Sequence, residues 1–299
     1  MSAAIRKAVI PVAGFGTRML PAAKAVPKEL LPVLDRPTVQ YVVEEAAAGG
    51  LDDVLLVTGR DKRAIEDHFD RNADLEARLA AGAKQALLAS VNELAARVQV
   101  HSVRQAEQRG LGDAVYQAKR HVDGEPFVCL LGDTIFSGGQ PPAAQLIDAY
   151  RRVGTVVIGL EEVPPEKVSR YGIVGGTRVG DGLFRLDTLV EKPSQEAAPS
   201  RMAVAARYLL TPAVFACLEE TKPGKGGEVQ LTDALQLLLR REPIHGVVLT
   251  ARRHDIGNPV DWLKTNLLFA SRDPTAWAAL RPMVEALLDE ERAATRPRE

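Results

Sequence analysis

The sequence predicts an α/β fold, and three observations carry that expectation. Short branched apolar runs with the length of buried strands recur at residues 8–12, 53–58 and 126–131. Between the first two lies a helix-period stretch, residues 37–48, with Pro37 suited to its first turn and Gly49-Gly50 to its end. Strand, helix and strand at this spacing make a βαβ unit, whose crossover is right-handed. The loops that follow the strands are polar and carry glycine, and it is at such loops that α/β sheets hold ligands.

The first strand breaks abruptly into Ala13-Gly14-Phe15-Gly16-Thr17-Arg18. Glycines at 14 and 16 permit positive φ and leave no Cβ in the way, so backbone N–H groups can approach a phosphate and Arg18 can add a fork of donors. The same stretch is equally compatible with a tight turn that carries a surface arginine. Residues 24–33 are punctuated by Pro27 and Pro32 and cannot form a continuous helix, which holds Lys24 and Lys28 on irregular backbone near that turn. After the βαβ unit come a helix at 61–70 and a longer helical excursion at about 74–97 that interrupts the strand–helix alternation. A strand at 98–103 then leads into a loop with Gln105 and Gly110 that opens a helix.

The most continuous apolar strand ends at Leu131, and Gly132-Asp133-Thr134 follows, so a ligand can come close to a carboxylate at a strand mouth. Strands are expected at 155–160, at 171–174 as a short edge or hairpin strand before the turn signal Gly180-Asp181-Gly182, at 189–192 ending in Glu191-Lys192-Pro193, and at 203–210. Pro212 starts a helix, a glycine-lysine loop spans 222–227, and a helix covers 234–241. A late strand at 246–250 precedes a loop bearing Asp255, a helix at 260–270 and a tail with an amphipathic helix around 277–291 and a frayed polar end. With no repeat and no low-complexity linker, the expected division is one domain over 1–270, including the excursion, and a helical tail over 271–299.

Composition narrows the function. Thirty-eight basic residues against 39 acidic leave a net charge of −1, which argues against a general nucleic-acid binder. Cys129 lies in an apolar run and Cys217 in a helix, at no metal-ligand spacing, and both read as core thiols of a cytoplasmic protein. The apolar run after Arg6 and Lys7 is shorter than a signal peptide requires, and no uninterrupted run approaches the roughly 18 apolar residues of a membrane span. No membrane partner is expected.

Asp133 at a strand mouth is a good hard-cation ligand, and Asp255 could supply a second, because Mg2+ takes one or two carboxylates together with phosphate oxygens. Each also reads as a helix cap or an ordinary polar turn. Lys192 beside Glu191 emerges from another strand end, where the plain alternative is a surface ion pair. Converging on one sheet edge, these strand ends would hold a polyphosphate, its metal, a base and a hydroxyl-rich partner, and that points to phosphoryl-type transfer by positioning and charge neutralisation. A dinucleotide-binding oxidoreductase is disfavoured, because Gly14-Phe15-Gly16-Thr17-Arg18 lacks the third glycine of G-x-G-x-x-G and a proline-rich loop replaces the helix.

In order along the chain, Gly14-x-Gly16-Thr17-Arg18, Pro27-Lys28-Glu29, Val43-Glu44-Glu45-Ala46, Arg104-Gln105, Gly110-Leu111-Gly112, Leu131-Gly132-Asp133, Tyr171-Gly172, Val190-Glu191-Lys192-Pro193, Gly227-Glu228-x-Gln230-Leu231-Thr232-Asp233 and His254-Asp255-x-Gly257-Asn258 resemble the bacterial UTP–glucose-1-phosphate uridylyltransferases. The resemblance runs from about residue 7 to 266. It implies a Rossmann-like three-layer sandwich around a mixed, mostly parallel sheet, and the reaction of UTP with glucose 1-phosphate to give UDP-glucose and pyrophosphate with Mg2+. By matching motif, Arg18, Lys28 and Lys192 would be the catalytic cations. Gly14, Gly16 and Thr17 would hold the triphosphate, with Ala13 and Gly132 among the substrate-binding positions, and Gln105 and Gly110 would read the uracil edge. Gly172 and Glu191 would hold the sugar, and Asp133 and Asp255 the metal.

Two positions depart from the family pattern: Ala23 stands where Thr is frequent, and Thr134 follows Asp133 where many members carry a second acid. The competing readings are a thymidylyltransferase, a uridylyltransferase for another sugar 1-phosphate, and a nucleotide-sugar-binding regulator without catalysis. The last should have lost a cation or the metal acid, and Arg18, Lys28, Asp133 and Lys192 are all present. The sequence does not set the oligomeric state; a homo-oligomer, dimer or tetramer, is the expectation, with the helical excursion and the tail helix as its candidate surfaces.

Overall fold

A computed structural model describes residues 4–295. The chain opens with β1 (Lys7–Pro11), the two-residue strands β2 (Pro32–Val33) and β3 (Arg36–Pro37), α1 (Thr38–Ala48) and β4 (Asp53–Thr58). It continues through α2 (Arg63–Phe69), α3 (Ala73–Ala81), α4 (Gln85–Asn92), β5 (Gln99–Arg104), α5 (Leu111–Gln117), α6 (Lys119–Val122), β6 (Phe127–Leu130) and β7 (Thr134–Ser137). The second half comprises α7 (Pro142–Val153), β8 (Val157–Glu162), the long β9 (Gly172–Gly180) and β10 (Leu183–Glu191), β11 (Met202–Leu210), α8 (Ala213–Glu220) and α9 (Leu231–Leu239). It closes with β12 (His245–Val248), β13 (Arg252–Asp255), α10 (Pro259–Ala270) and α11 (Pro274–Thr295).

Nine strands form one sheet in the order β5-β4-β1-β6-β11-β8-β12-β10-β9. Alternation along its central strands explains the layers, since successive strand side chains point to opposite faces. Ala8, Ile10 and Val12 join a core with Val39, Val42 and Val43 of α1 and Leu146 of α7. Val9 faces the other way, into a core with Val115 of α5, Phe215 of α8 and Leu235 of α9. Helices therefore cover both faces, and the α/β expectation holds.

The expectation of a mostly parallel sheet does not. β5, β4, β1 and β6 are mutually parallel and β12 is parallel to β8. β11, however, pairs antiparallel with β6, β8 and β9, and β10 is antiparallel to β12 and β9. The physical reason is the connections: parallel neighbours need a crossover, whereas β9 and β10 are joined directly through Asp181-Gly182, with Gly182 at φ 64°, and so form a hairpin.

Three further expectations change. The short strand at 171–174 is the start of nine-residue β9. The excursion is two helices, because Ala83 takes φ 55° and the turn is closed by Lys84 N–H donating to Leu79 O at 3.0 Å. Asp255 ends a strand instead of lying in a loop, since β13 pairs antiparallel with β7. The tail helix is present as α11, while part of the frayed end expected after it falls at residues 296–299, outside the described residues. Among the described residues no helix is long and apolar enough to cross a membrane. Cys129 and Cys217 are free and buried, as read from the sequence.

Candidate active site

A cavity of about 700 Å3 opens over the ends of β1, β5 and β6 and the middle of β11. Of the positions singled out in the sequence, Ala13, Gly14, Gly16, Thr17, Arg18, Lys28, Gln105, Gly110, Asp133, Gly172, Glu191, Lys192 and Asp255 line it. Gly132 does not: it sits behind the wall, where an added Cβ would come within 2.5 Å of Val12 Cγ1, so its glycine is required for packing against the end of β1.

The loop after β1 owes its path chiefly to Gly16, which takes φ 68° and caps a single helical turn at Thr17–Met19. An added Cβ there would meet the Lys28 stem at 3.2 Å. Gly14 does not use the positive φ that glycine permits, and an added Cβ there would meet only the end of Lys28, with Cε at an ordinary 3.9 Å. Arg18 reaches across to Gly257, where an added Cβ would lie 2.8 Å from Nη2. The cation of the first loop therefore stands next to the turn that follows Asp255.

Below this loop lies a chain of buried charges. Lys28 Nζ is ion-paired with Asp133 Oδ2 and stands 3.9 Å from Glu29 Oε1, while Glu29, 2% exposed, accepts from Lys62 Nζ at 2.8 Å. Burial opposes the charge of Lys28, but Asp133 and Glu29 outweigh it and hold its pKa above the ordinary lysine value. Burial likewise works to raise Asp133, yet the Lys28 ammonium holds its carboxyl below the usual range. Glu29 moves the other way, pushed up by burial against the pull of Lys28 and Lys62. Asp133 is thus a carboxylate, as a cation ligand must be.

Its loop is pinned from beneath by Arg207, which the sequence reading missed. This side chain is 0% exposed, and its nitrogens donate to both Glu45 oxygens at 2.8 and 2.7 Å, to Thr134 O at 2.8 Å, to Ala206 O at 2.9 Å and to Leu131 O at 3.4 Å. The planar fork thereby holds the carbonyls on both sides of Asp133. Glu45 is the second acid of Val43-Glu44-Glu45-Ala46, so that motif acquires a structural reason. A register shift in β11 between Val204 and Tyr208, with Ala206 at φ 57°, accompanies the arrangement. From the other side, Ile256 N–H donates to Asp133 O at 3.0 Å, and Asp255 pairs with Thr134 in the β13–β7 ladder. The two acids consequently sit on neighbouring backbones. Two carboxylates on neighbouring backbones beside a glycine loop and Arg18 are donors of the kind a hard divalent cation takes together with phosphate oxygens and water. Among the described residues there is no cluster of three or more His, Cys, Asp or Glu suited to a metal.

At the opposite rim, Gln105 is 3% exposed and donates from Nε2 to Asp113 Oδ2 at 2.6 Å and to Gly110 O at 3.2 Å. Gly110, at φ 100°, leaves space that a Cβ would lose to Val229 O at 2.7 Å.

The third wall is the β9–β10 hairpin. β10 runs in the opposite sense to β1, so its end reaches the cavity because β9 pairs with both β10 and β11, and not because all the strand ends lie along one edge. Gly172 is opposite Glu191 in that ladder. Glu191 Oε2 accepts from Thr232 Oγ1 at 2.7 Å and its Oε1 lies 3.0 Å from Lys192 Nζ. Lys192 takes φ 45°, a strained value for a non-glycine residue, and its N–H donates to Tyr171 O at 3.1 Å. Arg253, ion-paired with Glu161, stacks 4.1 Å from the Tyr171 ring centroid. Arg253, Thr232 and Arg170 also line the cavity and were not predicted. A signal existed for two of them, because Thr232 lies inside Gln230-Leu231-Thr232-Asp233 and Arg253 directly precedes His254-Asp255.

The family described as Nucleotidyl transferase matches residues 7–272 of this chain. The YngB UTP–glucose-1-phosphate uridylyltransferase of Bacillus subtilis is 45% identical over 287 residues, covering 96% of this chain and 97% of its own. A second Bacillus subtilis enzyme of that name is 42% identical, covering 96% and 98%. Among solved structures, a UTP-bound UGPase from Acinetobacter baumannii superposes with a TM-score of 0.87 at 36% identity, over 94% of this chain and 99% of the other. A UDP-glucose pyrophosphorylase complexed with UDP-glucose gives 0.84 at 36% identity, over 90% and 100%.

Proposed function

The chain belongs to the nucleotidyl transferase family and, within it, to the UTP–glucose-1-phosphate uridylyltransferases, and on that premise we propose how its cavity works. The reaction is transfer of the uridylyl group of UTP to glucose 1-phosphate, giving UDP-glucose and pyrophosphate. We infer direct in-line displacement: a phosphate oxygen of glucose 1-phosphate bonds to the α-phosphorus of UTP while the bond to the β-phosphate oxygen breaks and pyrophosphate departs. No protein nucleophile takes part. Both reactants are anions, so the protein must cancel repulsion as well as stabilise the transition state.

Gly14, Gly16, Thr17 and Arg18 hold the triphosphate at the end of β1, with Ala13 beside them and Gly132 keeping the neighbouring loop close. Lys28 neutralises charge there, Gln105 and Gly110 read the base, and Gly172, Glu191 and Lys192 hold the sugar phosphate. Asp133 and Asp255 would hold Mg2+, which would neutralise phosphate charge. Lys28 then exchanges its partner Asp133 for phosphate oxygens, which keeps the pocket's charge balanced as ligands enter. The observation that carries this assignment is the gathering of these cations and carboxylates around one cavity although they come from four strand ends and, for Lys28, from a separate turn.

The proposed domain is 1–270 with the excursion, followed by the tail, and the family match ending at residue 272 supports that boundary. A cytoplasmic homo-oligomer is also proposed, supported by the two free cysteines and by Val260, Leu263 and Leu267 of α10 and Met283, Leu287 and Leu288 of α11, all exposed. The deciding experiment is Mg2+-dependent release of pyrophosphate from UTP, run with and without glucose 1-phosphate and repeated with dTTP and other sugar phosphates. Release that does not require glucose 1-phosphate, or that is faster with dTTP, would sink the proposal.

A further inference from the structure

We propose that Asp113 is a specificity-determining residue: it locks the Gln105 side-chain amide so that only a base with an N–H at its reading position is accepted. The inference deepens the reading above in which Gln105 faces the nucleotide base, and rests on it.

An amide can present either of two ends, and which end faces a ligand is set by what the other end bonds. Here the nitrogen end is spoken for. Both groups facing Nε2, the Asp113 carboxylate at 2.6 Å and the Gly110 carbonyl at 3.2 Å, can only accept, so the NH2 must point at them and the amide has no alternative flip. Asp113 is itself held, since Gln117 Nε2 stands 3.4 Å from its other oxygen in the next turn of α5. Oε1 is thereby left as the free end. Among the described residues no sealed side-chain polar atom lacks a partner, and Gln105 lines the cavity, so that oxygen opens onto the ligand space.

A fixed acceptor discriminates between pyrimidines. Uracil and thymine carry a hydrogen on N3 and can donate to Oε1; cytosine carries a lone pair at N3 and would set acceptor against acceptor. Repulsive pairing of this kind, with a buried polar group left unsatisfied, is how a site rejects a near-isostere. Gln105 alone could not do this, because a free amide turns over to offer its NH2. The discrimination resides in the pair.

The test measures kcat/KM for pyrophosphate release from UTP and from CTP with glucose 1-phosphate, using the full-length enzyme. Asp113→Asn keeps the shape but can offer Gln105 either a donor or an acceptor, and Asp113→Ala removes the partner. Each is expected to lower the UTP:CTP ratio by about tenfold or more, in part through improved use of CTP, while half-saturation by glucose 1-phosphate stays within twofold. A defect in folding would lower both nucleotides together and leave the ratio alone. An unchanged ratio in both variants overturns the proposal. Gln105→Leu separates the two levels: if it collapses the ratio while the Asp113 variants keep it, Gln105 reads the base without help from Asp113; if it leaves the ratio untouched, the base is read elsewhere and both statements fall.

Discussion

At the scale of single residues, the cavity is a set of paired charges, and the proposed reaction requires those pairs to open as ligands bind. Lys192 is the clearest case: it stands at φ 45° directly before Pro193, exposed, and its ammonium is paired with Glu191. A strained backbone that aims an exposed cation into a cavity is stabilised by its surroundings and invites a functional reading. Lys192→Ala is expected to lower kcat/KM for glucose 1-phosphate by about two to three orders of magnitude with the melting temperature nearly unchanged; activity within threefold of the parent would remove Lys192 from the reaction. Thr232 acts one step back, through its hydroxyl on Glu191 at 2.7 Å. Thr232→Val leaves that carboxylate oxygen without its donor and should raise half-saturation by glucose 1-phosphate about tenfold, the equivalent of about 1 to 1.5 kcal/mol, while half-saturation by UTP does not move. Thr232→Ser, which keeps the hydroxyl, should restore most of the loss. Gly14, Gly16, Glu191 and Asp133 were all legible from their motifs, whereas Thr232 was passed over because a threonine inside a helix start carries no chemistry until its neighbour in space is known.

At the scale of elements, strands carry the ligand-facing loops and helices brace them. The Asp133 loop illustrates the division: β6 delivers it, β13 fastens it from one side, and Arg207 on β11, neutralised by Glu45 on α1, fastens it from below. Arg207→Lys keeps the buried charge opposite Glu45 but lacks the planar fork for the Leu131 and Thr134 carbonyls. It should therefore fold and bind Mn2+ about tenfold more weakly in equilibrium titrations; parental affinity would show that the loop holds itself. Sequence reading found most of the longer elements but gave no helix at α7 and no strand at β7 or β13, and it mistook two relations between elements. It expected Asp255 on a loop, because the four residues of β13, Arg252-Arg253-His254-Asp255, are too short and too polar to read as a strand. It also expected the strand ends of the site to converge on one edge of a mostly parallel sheet, because strand direction leaves no trace in composition.

At the scale of the molecule, two apolar cores on opposite sheet faces stabilise the fold, and a partly buried histidine makes that stability depend on pH. His254 lies between Ser137, at 2.7 Å from Nε2, and the edge of Phe269. Burial, helped by Arg252 and Arg272, depresses its pKa to about 4 from an ordinary 6.5. The unfolded chain therefore takes up this proton as pH falls below 6.5 while the folded chain resists until about 4, so stability contributed here is complete above 6.5 and lost between those values. Denaturant midpoints measured at pH 7 and pH 5 should fall over that window, and His254→Gln, which keeps a group to bond Ser137, should flatten the slope; an identical slope in the variant would assign the effect to other groups. Composition and pattern by themselves gave an α/β protein with a glycine turn after its first strand, and the resemblance of its short motifs to the uridylyltransferases gave the reaction, because glycine turns, prolines and strand-end acids are written in adjacent residues and can be matched without the fold. Only the tertiary structure decided that a parallel run of four strands continues into a mixed part of the sheet, that Arg207 and Glu45 brace Asp133 across 162 residues of chain, and that Asp113 holds Gln105. Those relations depend on which side chains meet across strands and helices far apart in sequence, and hydrophobic burial, which brings them together, does not specify the partners in advance.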